Sequence, residues 1–220
     1  KALKEAVINA NAKSGVAVAM DPNTGAILAM ANIPDFDPNN YKKYSFDKWR
    51  NRVITDAWEP GSTFKTMIIA SAIDRGLISA NDKIFCENGK WTVGNNTIKD
   101  SHPHGELTVA EVIKVSSNIA MGKLAQSVGK KELYNMAQKF GFGKKTGIDL
   151  PGEISGILSN PKRWSNMQEI NFAFGQGVGV TPLQMVVAYS AIANGGLIVK
   201  PYLVQKIEGE NSVQTRETQV

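Results

Sequence analysis

The chain contains 220 residues, of which 42% are hydrophobic and 20% are charged, a composition that excludes a disordered or fibrous protein and predicts one globular domain over residues 1–220. Its net charge of +5 comes from scattered basic residues without interleaved aromatic residues, so nucleic acid is not an expected partner. The single cysteine, Cys86, excludes an intrachain disulfide and a cysteine-based zinc site, and no apolar run approaches the roughly 18 residues that a membrane-spanning helix needs.

The first part of the chain predicts a hairpin and a loop. Residues 15–31 hold two short apolar runs around a DPNTG turn, which is the pattern of a β-hairpin. Residues 32–51 are rich in proline and asparagine and predict an ordered loop. Because the chain begins at Lys1, without a methionine or a signal peptide, it is also expected to be a segment of a longer protein.

Helices are predicted for much of the remaining chain. Residues 62–75 are apolar on nearly every face, so this helix is expected to be buried. Thr108 and Glu111 have the spacing of a capping box, which predicts a helix over residues 108–115. Further helices are predicted at residues 119–126, 131–140 and 183–193, the last capped by Thr181, and a strand is predicted at residues 197–204. Residues 206–220 are polar and carry no prediction.

The candidate nucleophile is Ser62, which precedes Lys65 by three residues and would share one face of a helix with it. The spacing alone has no weight, because it occurs four times, at 45/48, 62/65, 127/130 and 159/162. Ser62 differs because it begins an apolar helix, where free amides and the helix dipole stabilise negative charge on oxygen. Burial would lower the pKa of Lys65 and suit it to act as a base. The alternative is a capping serine and a lysine whose stem lies along the core.

A second candidate is formed by Ser116 and Asn118, a Ser-x-Asn pattern at the end of the predicted 108–115 helix. A hydroxyl can relay a proton between a lysine and a leaving amine, and an amide can both donate to and accept from a substrate peptide bond. Because Ser79 and Asn81 have the same spacing in a polar turn, the pattern is weak by itself. Its alternative is an ordinary turn at the end of a helix.

Two other patterns favour a structural role. His102 and His104 flank a proline without further ligand spacing, so no metal site is predicted. Residues 175–179 (GQGVG) lack the Gly-Lys-Ser/Thr ending of a phosphate-binding loop. They are expected to permit a close backbone turn before Thr181, and no cofactor is predicted.

In combination, several short motifs resemble those of a penicillin-binding protein, in order and in spacing. They are residues 58–65 (WEPGSTFK), 102–105 (HPHG), 114–118 (KVSSN), 174–177 (FGQG) and 181–184 (TPLQ). The resemblance extends from Asp21 to Tyr202 and is strongest to the class B transpeptidases of the division-specific or sporulation type.

The resemblance implies an α+β fold of the β-lactamase and transpeptidase kind, with helices packed on an antiparallel sheet. It also implies a serine acyltransferase in which Ser62 attacks the D-Ala-D-Ala bond of a peptidoglycan stem peptide or a β-lactam. Lys65 would be the base, Ser116 the proton relay and Asn118 the anchor for the substrate amide. Cell-division and cell-wall synthesis proteins would be partners, at the extracytoplasmic face of the bacterial membrane, reached through an N-terminal anchor absent from these residues.

One family motif has no counterpart. The third motif, Lys-Thr/Ser-Gly on a strand beside the cleft, is not assigned to residues 145–147 (KTG), because these precede residues 175–177 and match a noncatalytic stretch of the family. The motif and the last strands of the sheet are therefore expected beyond this chain. A sheet reduced to one hairpin has unpaired edges and is expected to be unstable or to rely on another chain or fragment. The 220 residues alone are therefore expected to be catalytically impaired.

Two other functions stay open on the sequence. A β-lactamase-type hydrolase would need a residue that activates water for deacylation, and the lifetime of its acyl-enzyme would be short. A noncatalytic β-lactam sensor or division scaffold would be acylated but would transfer no acyl group to a peptide.

Overall fold

The computed structural model describes residues 1–209 and 212–220. The helices are, in chain order, α1 (Ala2–Asn9), α2 (Arg52–Thr55), α3 (Lys65–Asp74), α4 (Val109–Val115), α5 (Asn118–Val128), α6 (Lys130–Lys139), α7 (Asn166–Phe172) and α8 (Pro182–Ala193). The strands are β1 (Gly15–Met20), β2 (Ile27–Ile33), β3 (Lys83–Phe85), β4 (Lys90–Val93), β5 (Asn96–Lys99), β6 (Glu106–Thr108), β7 (Ile157–Leu158), β8 (Val178–Gly179), β9 (Lys206–Gly209) and β10 (Ser212–Thr215). The strands pair antiparallel as β1–β2, β3–β6, β4–β5, β7–β8 and β9–β10, and the predicted α+β class is confirmed.

The chain divides into two compact units. The first comprises residues 1–57, 141–156 and 180–220, and the second comprises residues 58–140 and 157–179. The expectation of one domain over residues 1–220 stays a prediction. Within the described residues, no helix has both the length and the apolar character that crossing a membrane requires.

The first unit is built on the β1–β2 hairpin, which confirms the hairpin predicted at residues 15–31. The Asp21 carboxylate accepts the N–H groups of Asn23 and Thr24 and closes the turn, while Gly25 supplies the positive φ of +83°. Helix α8 packs against β1. The core between them contains Val53, Ile54, Ile148, Leu183 and Val187, with Val16, Val18 and Met20 of the hairpin packed against it.

The strand predicted at residues 197–204 is wrong. Leu203 and Val204 donate their backbone N–H groups to the carboxylate of Asp149, at 2.8 and 3.0 Å, so the last two donors of the predicted strand are taken by a side chain. The segment forms only an isolated bridge, between Tyr202 and Ala26. Its apolar composition reflects local burial of Val199 and Tyr202.

The second unit is built around α3, and the prediction that this helix is buried is confirmed. Met67, Ile68 and Ala72 have no exposed surface, and an edge-to-face contact joins Phe64 and Phe172 with ring centroids 5.3 Å apart. Helix α3 packs against α6, and α5 packs against α6 and α7. The helices predicted at residues 119–126 and 131–140 correspond to α5 and α6, and their ends differ by one or two residues.

Candidate active site

Ser62 lies at the start of the second unit's central helix. Residues Gly61–Phe64 form a 3₁₀ turn that runs directly into α3, and Gly61 enables the sharp entry with a φ of +57°. The Ser62 side chain is exposed, whereas Lys65, the first residue of α3, is only 2% exposed. The predicted pair therefore combines a solvent-facing hydroxyl with a buried amine.

The backbone before Ser62 is held by a glycine loop, defined here as residues 175–177. Gly61 donates its N–H to the carbonyl of Gly175 at 3.1 Å, and Gly177 donates its N–H to Glu59 Oε1 at 2.8 Å. A Cβ on Gly175 would lie 2.2 Å from the Gly61 oxygen and 2.6 Å from its nitrogen. The loop thus does permit a close backbone approach, and its contact is with the turn that presents Ser62.

Replacing Gly175 by alanine is expected to lower the free energy of unfolding by about 2–5 kcal/mol, because the positive φ of +79° and the overlap with Gly61 both penalise a Cβ. Gly141→Ala is the matched control, since Gly141 has a φ of +84° but no atom within 4 Å of the added Cβ, and should cost about 1–2 kcal/mol. Chemical denaturation measures both. Equal losses would show that the close contact with Gly61 contributes nothing.

Ser116 and Asn118 lie at the junction between two helices, defined here as residues 116–118. The capping box predicted for Thr108 and Glu111 is confirmed at the start of α4, and that helix ends at Ser116 in a left-handed conformation with φ +58° and ψ +44°. Ser117 then caps α5 by accepting the N–H of Ala120 at 3.0 Å. This reversal of the backbone within one residue presents Ser116 and Asn118 to the same group.

That group is the amine of Lys65. Its Nζ donates to the Ser116 carbonyl at 2.7 Å, to Ser116 Oγ at 2.9 Å and to Asn118 Oδ1 at 2.8 Å. A lysine ammonium has three N–H donors, so these acceptors satisfy the charged form. The Ser62 hydroxyl is not one of the three acceptors, although it lies only three residues away along the helix start.

The buried position makes the Lys65 amine easier to deprotonate. Burial lowers the pKa of the Lys65 ammonium from its ordinary value of 10.5 to about 8, while the negative charge of Asp100 opposes this shift. A minority of Lys65 side chains is therefore neutral at pH 7, and this fraction grows as the pH approaches 8. A lysine in this state can take a proton from a hydroxyl.

The other serine–lysine patterns and residues 145–147 do not contact the Lys65 amine. Ser159 accepts the indole N–H of Trp164 at 2.8 Å, and Lys130 donates to the Trp164 carbonyl, so both residues have structural partners. Residues 145–147 form a loop in the first unit, where the Glu153 carboxylate accepts the N–H groups of Thr146 and Gly147. In the described parts of the chain, no group of three His, Cys, Asp or Glu side chains could hold a metal ion.

Two residues near the site were not predicted. Glu59 and Asp100 have carboxylates that accept backbone N–H groups of the glycine loop and the junction, respectively. Both contacts join segments that are distant along the chain, and no local spacing indicates them.

Comparisons with known proteins agree on one family. The family model described as the penicillin binding protein transpeptidase domain matches residues 15–220. The peptidoglycan D,D-transpeptidase FtsI of Escherichia coli is 39% identical over 206 residues, which are 94% of this chain and 34% of that protein. The stage V sporulation protein D of Bacillus subtilis is 39% identical over 87% of this chain and 30% of that protein. The chain thus spans about a third of the length of these curated relatives.

Solved structures give the same result for the fold. Penicillin binding protein 3 of Mycobacterium tuberculosis, solved in complex with aztreonam, matches with a TM-score of 0.87 and 34% identity, over 97% of this chain and 48% of that chain. The transpeptidase domain of penicillin-binding protein 3 from Burkholderia pseudomallei matches with a TM-score of 0.82 and 31% identity, over 98% of this chain and 60% of that chain. The β-lactamase and transpeptidase kind of fold is confirmed.

Proposed function

The chain belongs to the penicillin binding protein transpeptidase domain family, and on that premise we propose that the protein is a peptidoglycan D,D-transpeptidase with Ser62 as its nucleophile. The observation that carries the proposal is the contact of the buried Lys65 amine with both Ser116 and Asn118. The buried Lys65 amine meets a hydroxyl and an amide, and Lys65 follows the exposed Ser62 by three residues. These are the groups that acyl transfer through a serine needs.

The reaction begins at the Ser62 hydroxyl. Its Oγ forms a bond to the carbonyl carbon of the penultimate D-alanine of a stem peptide, while its proton passes to neutral Lys65. The dipole of the helix start favours the negative charge that develops on the oxyanion. When the tetrahedral adduct collapses, the C–N bond to the terminal D-alanine breaks and an acyl-enzyme ester remains on Ser62.

The leaving nitrogen needs a proton, and Ser116 lies between Lys65 and solvent as the relay. The protonated Lys65 gives its proton to Ser116 Oγ, 2.9 Å away, as the Ser116 hydroxyl proton moves to the departing amine. The amine of a neighbouring stem peptide then attacks the ester, and its proton returns to Ser62 by the same route. Serine is regenerated and one cross-link is formed.

The substrate is anchored by Asn118 in this proposal. Its Oδ1 is fixed by Lys65, which leaves the Nδ2 group, now donating to the Lys99 carbonyl at 3.2 Å, as a donor toward the carbonyl of a stem peptide. A β-lactam carries a strained amide at the corresponding position and would acylate Ser62 in the same way. The crystal structure of one relative as a complex with aztreonam supports this part of the proposal.

Location and partners follow from the substrate. Peptidoglycan lies outside the cytoplasm, so we place the site at the extracytoplasmic face of the bacterial membrane, with cell-division and cell-wall synthesis proteins as partners. The names of two relatives, which concern peptidoglycan and sporulation, support this placement.

The test is a map of the acylated residue. A protein of the relatives' full length that carries this sequence is incubated with benzylpenicillin, and its intact mass and proteolytic peptides are measured. We expect one stable adduct, on the peptide that contains Ser62, and release of D-alanine from a D-Ala-D-Ala stem peptide. An adduct on Ser159, or no adduct, would reject the proposal.

A further inference from the structure

The carboxylate of Asp100 is bound to three consecutive residues that begin α5. Its Oδ1 accepts the backbone N–H groups of Asn118 at 2.5 Å and Ile119 at 3.1 Å. Its Oδ2 accepts the hydroxyl proton of Ser117 at 2.6 Å. Such bonds to an ionised acceptor are about twice as strong as bonds between neutral groups.

These bonds fix the orientation of the 116–118 junction. Ser117 is 1% exposed and also accepts the N–H of Ala120, so the first three N–H groups of α5 all have partners. Asp100 is itself held by its N–H, which donates to the Gly89 carbonyl at 3.2 Å. Since Ser116 has the left-handed conformation that a residue with a side chain rarely adopts, the bonds to Asp100 oppose its relaxation.

Asp100 also acts on the charge of the site. Its negative charge favours the ammonium form of Lys65 and so opposes the effect of burial on the pKa. The nearby Cys86 thiol, 3.6 Å from Ser117 Oγ, has a pKa that burial raises, so it stays neutral near pH 8. Among the described residues, Asp100 is therefore the charged group that acts on Lys65.

We infer that Asp100 is a positioning residue of this site: it holds Ser116 and Asn118 opposite the Lys65 amine and balances the charge of that amine. The inference rests on the proposed function, because it assigns the junction to acyl transfer. Asp100 acts through the junction and does not itself touch the Lys65 amine or the Ser62 hydroxyl.

Asp100→Asn tests both parts of the inference, because it keeps the shape of the side chain but removes its charge and leaves only one oxygen to accept the bonds of the junction. The pH midpoint of the Lys65 titration is measured by NMR of ¹³Cε-labelled lysine. The Lys65 signal is identified as the one that is missing from the Lys65→Met spectrum. We expect this midpoint to move to lower pH by about half a unit or more. The rate of acylation by benzylpenicillin above pH 8.5 or so should fall about tenfold.

Two further variants complete the design. Ser117→Ala removes one bond to Asp100 but keeps the charge, so the acylation rate should fall while the Lys65 midpoint stays. Asp149→Asn is the matched control: Asp149 also accepts two backbone N–H groups and pairs with Arg216, and its loss should lower stability without changing either quantity.

An unmoved Lys65 midpoint in folded Asp100→Asn, or an undiminished acylation rate there, would overturn the inference. If Asp100→Asn does not fold, Ser117→Ala decides, and an undiminished rate in that variant overturns it as well. Failure of the proposed function looks different, because the unsubstituted protein would then carry no adduct on Ser62 while the NMR midpoints would still report on Asp100.

Discussion

Replacing Ser62 by alanine is expected to abolish the penicillin adduct and the release of D-alanine, because no other group at this position can form the ester. Intact mass after prolonged incubation measures the adduct. The residual rate of D-alanine release should be indistinguishable from that of a protein-free solution. Folding should be retained, since the Ser62 side chain is exposed and surface changes of this kind alter stability by less than about 0.5 kcal/mol.

Ser159→Ala is the matched control, because Ser159 also precedes a lysine by three residues. Its hydroxyl accepts the Trp164 indole N–H, so this variant should lose about 1–2 kcal/mol of stability and be acylated at the normal rate. Retention of the adduct in Ser62→Ala, with loss in Ser159→Ala, would exclude Ser62 as the nucleophile.

Replacing Lys65 by methionine is expected to lower the rate of acylation by about 10²- to 10⁴-fold, the usual contribution of a positioned general base. In the unsubstituted protein the same rate should rise with pH and level off above about 8, because only neutral Lys65 can accept the Ser62 proton. Stopped-flow measurement with a chromogenic cephalosporin follows both effects. Lys130→Met is the control, because Lys130 also follows a serine by three residues but donates to the Trp164 carbonyl.

The same lysine predicts a pH-dependent stability. Its pKa is about 8 in the folded protein and 10.5 at its ordinary value, so between these pH values the unfolded chain binds more protons than the folded one. The free energy of unfolding should therefore rise with pH in this window, by up to about 1.4 kcal/mol per unit, and gain nothing from Lys65 below pH 8 or above 10.5. Denaturant unfolding of Lys65→Met should lack this slope, and a slope equal to that of the unsubstituted protein would show that Lys65 has an ordinary pKa.

Local patterns were sufficient to predict two structural features around the proposed site. An apolar helix that begins at a serine predicted that Lys65 is buried, and the capping box at Thr108 predicted where α4 begins. Both depend on residues within one or two helical turns, so a sequence pattern contains the relevant physics. The roles of Ser62, Lys65, Ser116 and Asn118 rest on the family resemblance and stay predictions until they are tested.

Contacts between distant segments were not predictable in this way. The strand expected at residues 197–204 has the right composition, but the carboxylate of Asp149 takes two of its N–H groups. In the sequence Asp100 stands beside His102 and His104, whereas its partners lie seventeen to nineteen residues further along the chain. A side chain that substitutes for a backbone partner leaves no periodic signal in the sequence.

The glycine loop has a consequence for synthesis of the chain. The bond between Glu59 and Gly177 joins residues that are 118 positions apart, and the bond between Gly61 and Gly175 spans a similar length. These bonds cannot form on the ribosome until residues 177 and 175, respectively, have emerged, long after Ser62 itself. In a growing chain Ser62 is therefore translated first. The two bonds that hold its turn can form only after more than half of these 220 residues have been translated.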